Sequence, residues 1–211
     1  MKEKQQISPK ISTEEAQKRV EQAVDNFMQG YNCSQSVVAA FADLYGFTRE
    51  QALRMSASFG GGIGRMRQTC GAACGMFMLA GLDCGATEGS DRAGKSHNYA
   101  VVQQLAEKFK SQTGSIICAE LLGLRKPEVS SEAEARTMQY YKKRPCPRMV
   151  RLGAELFAAY LMEQQRVSAN NIRHNMHCIL LTRKMKRISV MFNSILRHSY
   201  IYSLIYRQLA H

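Results

Sequence analysis

The stretch Gln68–Gly75 reads QTCGAACG and places two cysteines four residues apart among residues with almost no side chain. A second run of small residues, Phe59–Gly64 (FGGGIG), lies just before it. Small residues let two backbones approach closely, so another helix can pack directly against this stretch. Cys70 and Cys74 are therefore either small core residues or members of a site that needs sulfur and close backbone contact together.

The residues on both sides of this stretch have the pattern of consecutive helices. Ser12–Glu15 and Thr48–Gln51 have capping-box sequences, while Asn32 and Thr69 can each cap a further helix. The predicted helices cover approximately residues 13–29, 33–45, 49–59, 70–80, 90–112, 116–122, 131–143 and 148–164. Because no segment alternates like a strand, we predict an all-α, compact multi-helix bundle with a glycine-rich loop and a basic C-terminal extension.

Composition divides the chain into three parts. Residues 1–12 are predicted to be a flexible N-terminus, residues 13–164 a cysteine-bearing helical domain and residues 165–211 the basic extension. Eight of the 29 Lys and Arg residues follow Glu163, the last acidic residue, so the extension carries most of the net charge of +12. It is either a segment outside the folded core or an amphipathic segment that lies on an anionic membrane or a partner. It has no nucleic-acid motif, so nucleic acid is the less favoured partner.

Seven cysteines are spread over the chain. The N-terminal residues contain no apolar run typical of a secretory signal, and no stretch is long and apolar enough for a membrane span, so a cytoplasmic location is expected. Cysteines in such proteins more often bind metal, react or lie buried than form structural disulfides.

Two of the cysteines are expected at helix starts beside basic residues. Cys70 follows Arg65 and Arg67, and Cys146 lies in the basic segment YYKKRPCPR (140–148). Free backbone N–H groups, the helix dipole and nearby cations all favour thiolate over thiol. The alternative is that these thiols are buried and inert.

Several blocks together resemble a known family. They resemble a bacterial and archaeal family described as redox-active and named for the pattern Cys, Gly-Cys-Ala-x-x-Gly, Cys, Cys, although the motif here runs CGAxxG. The matching blocks are Tyr31–Gln35, Phe59–Gly64, Cys70–Gly75, Gly114–Leu122 and Cys146. The resemblance covers about residues 15–163 and not the tail. It implies that the family cysteines are Cys33, Cys70, Cys118 and Cys146, with Cys74, Cys84 and Cys178 outside the pattern.

The resemblance also implies a function without naming a substrate. We expect a thiol-based redox protein, with the activity of a thiol oxidoreductase, that cycles between dithiol and disulfide. Cys70 is the predicted attacking thiolate, and Cys146 or Cys118 the predicted resolving thiol. The expected partner is a redox protein, a small thiol or a peroxide, and the family's frequent occurrence beside transporter genes implies a transporter-associated role.

Two alternatives remain open. In the first, Cys33, Cys70, Cys118 and Cys146 hold an iron–sulfur cluster or zinc, since sets of four thiolates are common ligands for either. A module related to the family, in some multihaem cytochromes, looks like an iron–sulfur site. Backbone N–H groups around Gly61, Gly62, Gly64 and Gly71 would then bind a cluster sulfide, or else a thiolate or an anion. In the second, the basic extension is the working part, as an interaction module on a membrane surface or nucleic acid.

The redox and cluster hypotheses share one geometric requirement. The fold must bring Cys70 together with at least one of Cys33, Cys118 and Cys146. Thiols scattered through separate parts of the core would instead indicate ordinary packing.

Overall fold

The computed structural model describes residues 8–125, 130–170 and 173. Contacts divide the chain into two units, Met1–Gln165 and Arg166–His211. Of the second unit only residues 166–170 and 173 are described, and residues 166–170 are helical. Cys178 and nearly all of the predicted basic extension therefore lie outside the described residues.

The described part of the first unit is built from helices. They are α1 (Thr13–Met28), α2 (Cys33–Val38), α3 (Arg49–Ser56), α4 (Gly71–Cys84), α5 (Arg92–Thr113), α6 (Cys118–Leu121), α7 (Met138–Lys143) and α8 (146–165). Short 3-10 helices cover Ala42–Tyr45 and Ala57–Phe59. Within the described ranges there is no strand, only an isolated β-bridge between Thr69 and Ile117. The all-α prediction is confirmed.

None of the helices in the part of the chain that the structure describes is both long and apolar enough to cross a membrane.

Helix α4 lies at the centre of this unit, and its small residues let the neighbouring helices come close. A Cβ atom on Gly75 would lie 3.0 Å from the Ser34 carbonyl oxygen, so α2 packs on α4 backbone to backbone. On another side of α4, Gly153 of α8 would place a Cβ 3.1 Å from the Ala72 carbonyl oxygen. The motif's small residues are therefore a packing surface for two helices that each carry a cysteine at their first residue.

Several helix starts agree with the sequence, since Ser12, Asn32 and Thr48 each accept a backbone N–H as N-caps. Two predictions about α4 are wrong. Its N-cap is Cys70, not Thr69, and the helix continues through Gly81 to Cys84. A glycine inside a helix costs only ~1 kcal/mol, which the buried contacts of the last turn offset.

Helices α2, α3, α6 and α7 are shorter than predicted. Helix α2 ends at Val38 instead of Tyr45, because the chain turns and brings Phe41 into the core against Phe157, with ring centroids 5.2 Å apart. Residues 131–137 are not helical. Helix α7 starts only after Thr137, since Glu134 is held by arginine side chains rather than by a capping box.

The end of α4 is anchored by a buried carboxylate that the sequence did not reveal. Asp83 is 2% exposed and accepts hydrogen bonds from Ser8 Oγ (2.8 Å), Tyr45 Oη (3.0 Å) and Tyr160 Oη (2.7 Å). Burial, and then the Asp83 carboxylate, raises the pKa of both tyrosines, so their hydroxyls remain proton donors. This cluster joins the N-terminal segment, the first 3-10 helix, α4 and α8.

Candidate functional site

Four cysteines from distant parts of the chain line one cavity of about 330 Å³. Each stands at a helix start: Cys33 is the first residue of α2, Cys70 the N-cap of α4, Cys118 the first residue of α6 and Cys146 the first of α8. The structure thus brings the four cysteines together at one cavity and does not scatter them through separate parts of the core.

The β-bridge positions Cys70 beside Cys118. The Cys70 N–H donates to the Ile116 carbonyl at 2.7 Å, and the Cys118 N–H donates to the Gln68 carbonyl at 2.6 Å. On the other side of α4's first turn, a Cβ on Gly71 would lie 3.1 Å from the Cys33 Cβ, so Cys33 also approaches closely. The CGAxxG motif thus brings three family cysteines together through backbone contacts.

The glycine-rich loop is a left-handed turn. Its residues 61–65 all have positive φ, between 55° and 73°, and two of the five are the non-glycine residues Ile63 and Arg65. Arg67 is also left-handed, with φ of 62°. Each non-glycine residue in this region costs roughly 1–3 kcal/mol unless its surroundings compensate, which is typical of functional sites. Gly61, Gly62 and Gly64 line the cavity with Gly71, as do Arg65 and Arg67.

The thiols of Cys33 and Cys146 interact with each other. The interaction with Cys33 lowers the pKa of Cys146, and the guanidinium groups of Arg144 and Arg136 add to this against the effect of burial, so that the pKa falls to about 7. The same interaction, followed by burial, raises the pKa of Cys33. Cys146 is also the only one of the four that is partly exposed, whereas the others are buried. Near neutral pH a large fraction of the pairs therefore holds a Cys146 thiolate beside a Cys33 thiol.

The surroundings of Cys70 do not favour the predicted thiolate. Burial raises its pKa to about 12, although the backbone N–H groups of Ala72 and Ala73 act in the opposite, predicted direction. Burial also raises the pKa of Cys118, which the adjacent Arg67 guanidinium lowers in part. The helix start favours the Cys70 thiolate as expected, but desolvation is the larger effect.

Basic residues surround the thiols, and one carboxylate ties several of them together. Glu134 contacts Arg65 Nη2 at 3.1 Å, Arg67 Nη2 at 3.3 Å and Arg144 Nη2 at 2.5 Å. Burial alone would raise the pKa of Glu134, but Arg144, followed by Arg65 and Arg67, lowers it below its ordinary value. The carboxylate is thus ionised and fixes the arginines around the cavity.

Arg136 and Glu134 were missed by the sequence interpretation. The Arg136 guanidinium lies 4.8 Å from the Phe27 ring centroid and 4.6 Å from that of Tyr140. Both missed residues come from the segment that was predicted as an ordinary helix. The signal available was only their nearness in sequence to the basic stretch before Cys146.

The other described cysteines lie away from this cavity. Cys74 Sγ contacts the Thr69 carbonyl at 3.8 Å, and burial raises its pKa to about 11. Cys84 Sγ contacts the Ala80 carbonyl at 3.2 Å. All six described cysteines are free thiols. Among residues 8–125, 130–170 and 173, no group of three or more His, Cys, Asp or Glu side chains is arranged to hold a metal ion.

Comparison with known proteins gives one match. Residues 31–160 match the family described as "Putative redox-active protein (C_GCAxxG_C_C)". The matched segment contains the glycine loop and all four cavity cysteines. Curated proteins and solved structures gave no significant match.

Proposed function

The chain belongs to this redox-active C_GCAxxG_C_C family, and we propose that its activity is dithiol–disulfide exchange at Cys146 and Cys33. One observation carries the proposal: the two cysteines line one cavity, where interaction with Cys33 lowers the pKa of the more exposed Cys146 to about 7. A thiol with a pKa near ambient pH combines a large thiolate fraction with good nucleophilicity.

The reaction transfers two electrons from the protein to a disulfide substrate. The Cys146 thiolate attacks one substrate sulfur, which forms a mixed disulfide and breaks the substrate S–S bond. The departing thiolate takes up a proton. Cys33 then loses its proton and attacks the Cys146 sulfur, which forms the Cys33–Cys146 disulfide and releases the second substrate thiol. An external dithiol reduces the protein disulfide and closes the cycle.

In this proposal the other two family cysteines, Cys70 and Cys118, are not the thiols that react first with the substrate. Cys70 and Cys118 lie beside the pair, and burial keeps both protonated near neutral pH. They are available as thiols for exchange with the Cys33–Cys146 disulfide, but they are not the entry point for substrate. This assignment replaces the earlier expectation that Cys70 attacks first.

Thiol counting combined with disulfide mapping tests the proposal. The protein is treated either with a small disulfide or with dithiothreitol, alkylated under denaturing conditions and digested for mass spectrometry. We expect two fewer titratable thiols in the disulfide-treated sample and a linked peptide that joins Cys33 to Cys146. Cys146→Ser should abolish the linked peptide, while Cys84→Ser, outside the cavity, should leave it. Equal thiol counts in the two samples would contradict the proposal.

A metal centre is the second candidate, because four thiolates suit an iron–sulfur cluster or zinc. The donor chemistry fits, but no side-chain group within the described ranges is arranged as a metal site, so no step is assigned to a metal. Metal analysis and a visible absorbance spectrum of protein purified anaerobically distinguish the metal centre from the dithiol. Visible absorbance with stoichiometric iron, or stoichiometric zinc that chelators remove with release of thiols, would replace the dithiol proposal.

A further inference from the structure

We propose that the cavity selects a small anionic substrate, which Arg65, Arg67 and Arg136 bind through guanidinium N–H groups that the protein leaves unpaired. The inference rests on the proposed dithiol function and adds its substrate class: a small disulfide that carries carboxylate or sulfonate groups.

The charge of the cavity is unbalanced. Its charged lining comprises Arg65, Arg67, Arg136, Arg144 and Glu134, four cations and one anion. Glu134 uses both carboxylate oxygens on Arg144, at 2.6 Å and 2.5 Å. The Cys146 thiolate offsets one further charge. Two positive charges therefore remain uncompensated inside a partly enclosed volume, where their attraction for an anion is stronger than in bulk water.

Specific donor atoms are unpaired as well. Arg67 is only 6% exposed, yet its Nε has no hydrogen-bond partner, and the buried Arg65 Nε and Arg136 Nη1 also lack partners among the described residues. A buried polar group left unpaired costs roughly 1–3 kcal/mol. All three atoms belong to arginines that line one cavity, where a bound anion would supply the missing acceptors.

The same arginines are held in place by other contacts. Arg65 donates to the Glu132 carbonyl and to Glu134, Arg67 to Glu134, and Arg136 to the Tyr31 carbonyl at 3.4 Å. These contacts fix each guanidinium while leaving one N–H group free. A guanidinium N–H group held in place in this way suits an oxygen of a carboxylate or sulfonate.

Stabilisation of the thiolate does not account for all of these residues. Arg144 and Arg136 are the basic groups that mainly lower the pKa of Cys146, whereas Arg67 acts on the pKa of Cys118. The volume of about 330 Å³ is at the lower end of the usual range of ~300–1,000 Å³ for small-molecule sites. A small anion bound there would lie in the same cavity as the Cys146 sulfur.

Competition between disulfides of different charge tests the inference. We compare the rate at which Cys146 reacts with the dianion 5,5′-dithiobis(2-nitrobenzoate) and with the neutral 2,2′-dithiodipyridine, because their ratio cancels any change in thiolate reactivity. Loss of one charge-assisted contact in Arg65→Gln or Arg67→Gln should lower the ratio about tenfold. Arg92→Gln, an exposed charge on α5 outside the cavity, should change it less than about twofold. If Arg67→Gln does not fold, Arg65→Gln and Arg136→Gln decide the test.

A second measurement needs no redox chemistry. Millimolar inorganic sulfate, added to Cys146→Ser protein at constant ionic strength, should raise the Tm saturably, and Arg65→Gln should remove this shift while Arg92→Gln keeps it. An unchanged rate ratio and no saturable shift would overturn the anion site and leave the dithiol intact. A saturable shift, combined with wild-type protein that forms no Cys33–Cys146 disulfide in the thiol-counting experiment, would support the anion site and overturn the proposed redox function.

Discussion

Cys33 and Cys146 have the same chemistry in solution but opposite proton affinities in this fold. The interaction between them raises the pKa of Cys33 and is the main cause of the lowered pKa of Cys146. Because Cys146 is the more exposed sulfur, the thiolate is also the accessible one. The division of roles between nucleophile and resolving thiol thus follows from one contact.

The pH dependence of alkylation at Cys146 tests this division. A pKa lowered from 9.0 to about 7 predicts that the iodoacetamide rate at Cys146 rises with pH and reaches half its maximum near pH 7. Cys33→Ala removes the interacting thiol and should shift the midpoint upward, toward the ordinary value. Cys84→Ala should not move it. The alkylation of Cys146 is measured by peptide mass spectrometry. A midpoint near pH 9 in the wild-type protein would contradict the assignment.

The four cysteines could be predicted from sequence, but their roles could not. Their blocks identify them without a structure, and the N–H groups at the start of α4 do act on Cys70 as expected. Burial outweighs that effect, and burial depends on which helices pack over the thiol. The interaction between Cys33 and Cys146 likewise depends on the placement of α2 and α8, which no local pattern specifies.

At the scale of the elements, the left-handed turn at residues 61–65 packs directly on α6. A Cβ on Gly62 would lie 2.5 Å from the Cys118 Cβ and 2.9 Å from the Arg67 backbone. The turn therefore sets the positions of a thiol and an arginine together. The glycine run predicted a loop with positive φ. Gly61, Gly62 and Gly64 have positive φ, whereas Gly60 has a φ of −67°.

Gly62→Ala tests how closely this turn is packed. The backbone contact cannot be relieved by a side-chain rotation, so the loop must move, and we expect the free energy of unfolding to fall by about 2–4 kcal/mol. Gly46→Ala is the matched control, because Gly46 has a φ of 79° but nothing within 4 Å of an added Cβ. It should lose only ~1 kcal/mol. The free energies of unfolding are measured by urea denaturation. Equal losses in the two variants would show that the positive φ alone, and not the close packing at Gly62, causes the destabilisation.

Helix starts were easier to predict than helix lengths. Local capping pairs at Ser12, Asn32 and Thr48 decide where α1, α2 and α3 begin. The segment 131–137 has a similar local pattern, but its Glu134 forms ion pairs with arginines distant in sequence. Tertiary contacts overrode the local preference there.

At the scale of the whole molecule, two polar clusters connect elements distant in sequence. The thiol cavity joins the helix starts of α2, α4, α6 and α8, and the Asp83 cluster joins Ser8, Tyr45 and Tyr160 at the opposite end of α4. Both clusters belong to the first unit. The predicted contact of residues 165–211 with an anionic membrane stays a prediction.

Tyr160→Phe tests the Asp83 cluster. Loss of a hydroxyl that donates to a buried carboxylate should lower the free energy of unfolding by about 1.5–3 kcal/mol. Tyr99→Phe, at a side chain that is 62% exposed, should have almost no effect. Because the pKa of Tyr160 is raised in the folded protein, its contribution is complete below the ordinary value of 10.0 and decreases at higher pH. The difference between wild type and Tyr160→Phe should therefore shrink above that pH, and a constant difference would contradict the account.

The most direct test of the central claim is a redox titration of the Cys33–Cys146 pair. The protein is equilibrated in buffers of reduced and oxidised dithiothreitol, alkylated, and analysed for the peptide that links the two cysteines. We predict a reversible transition that fits a two-electron Nernst curve, approached equally from reduced and from oxidised protein. Two cysteines that stay free at every ratio, or a linked peptide joining other residues, would contradict the claim.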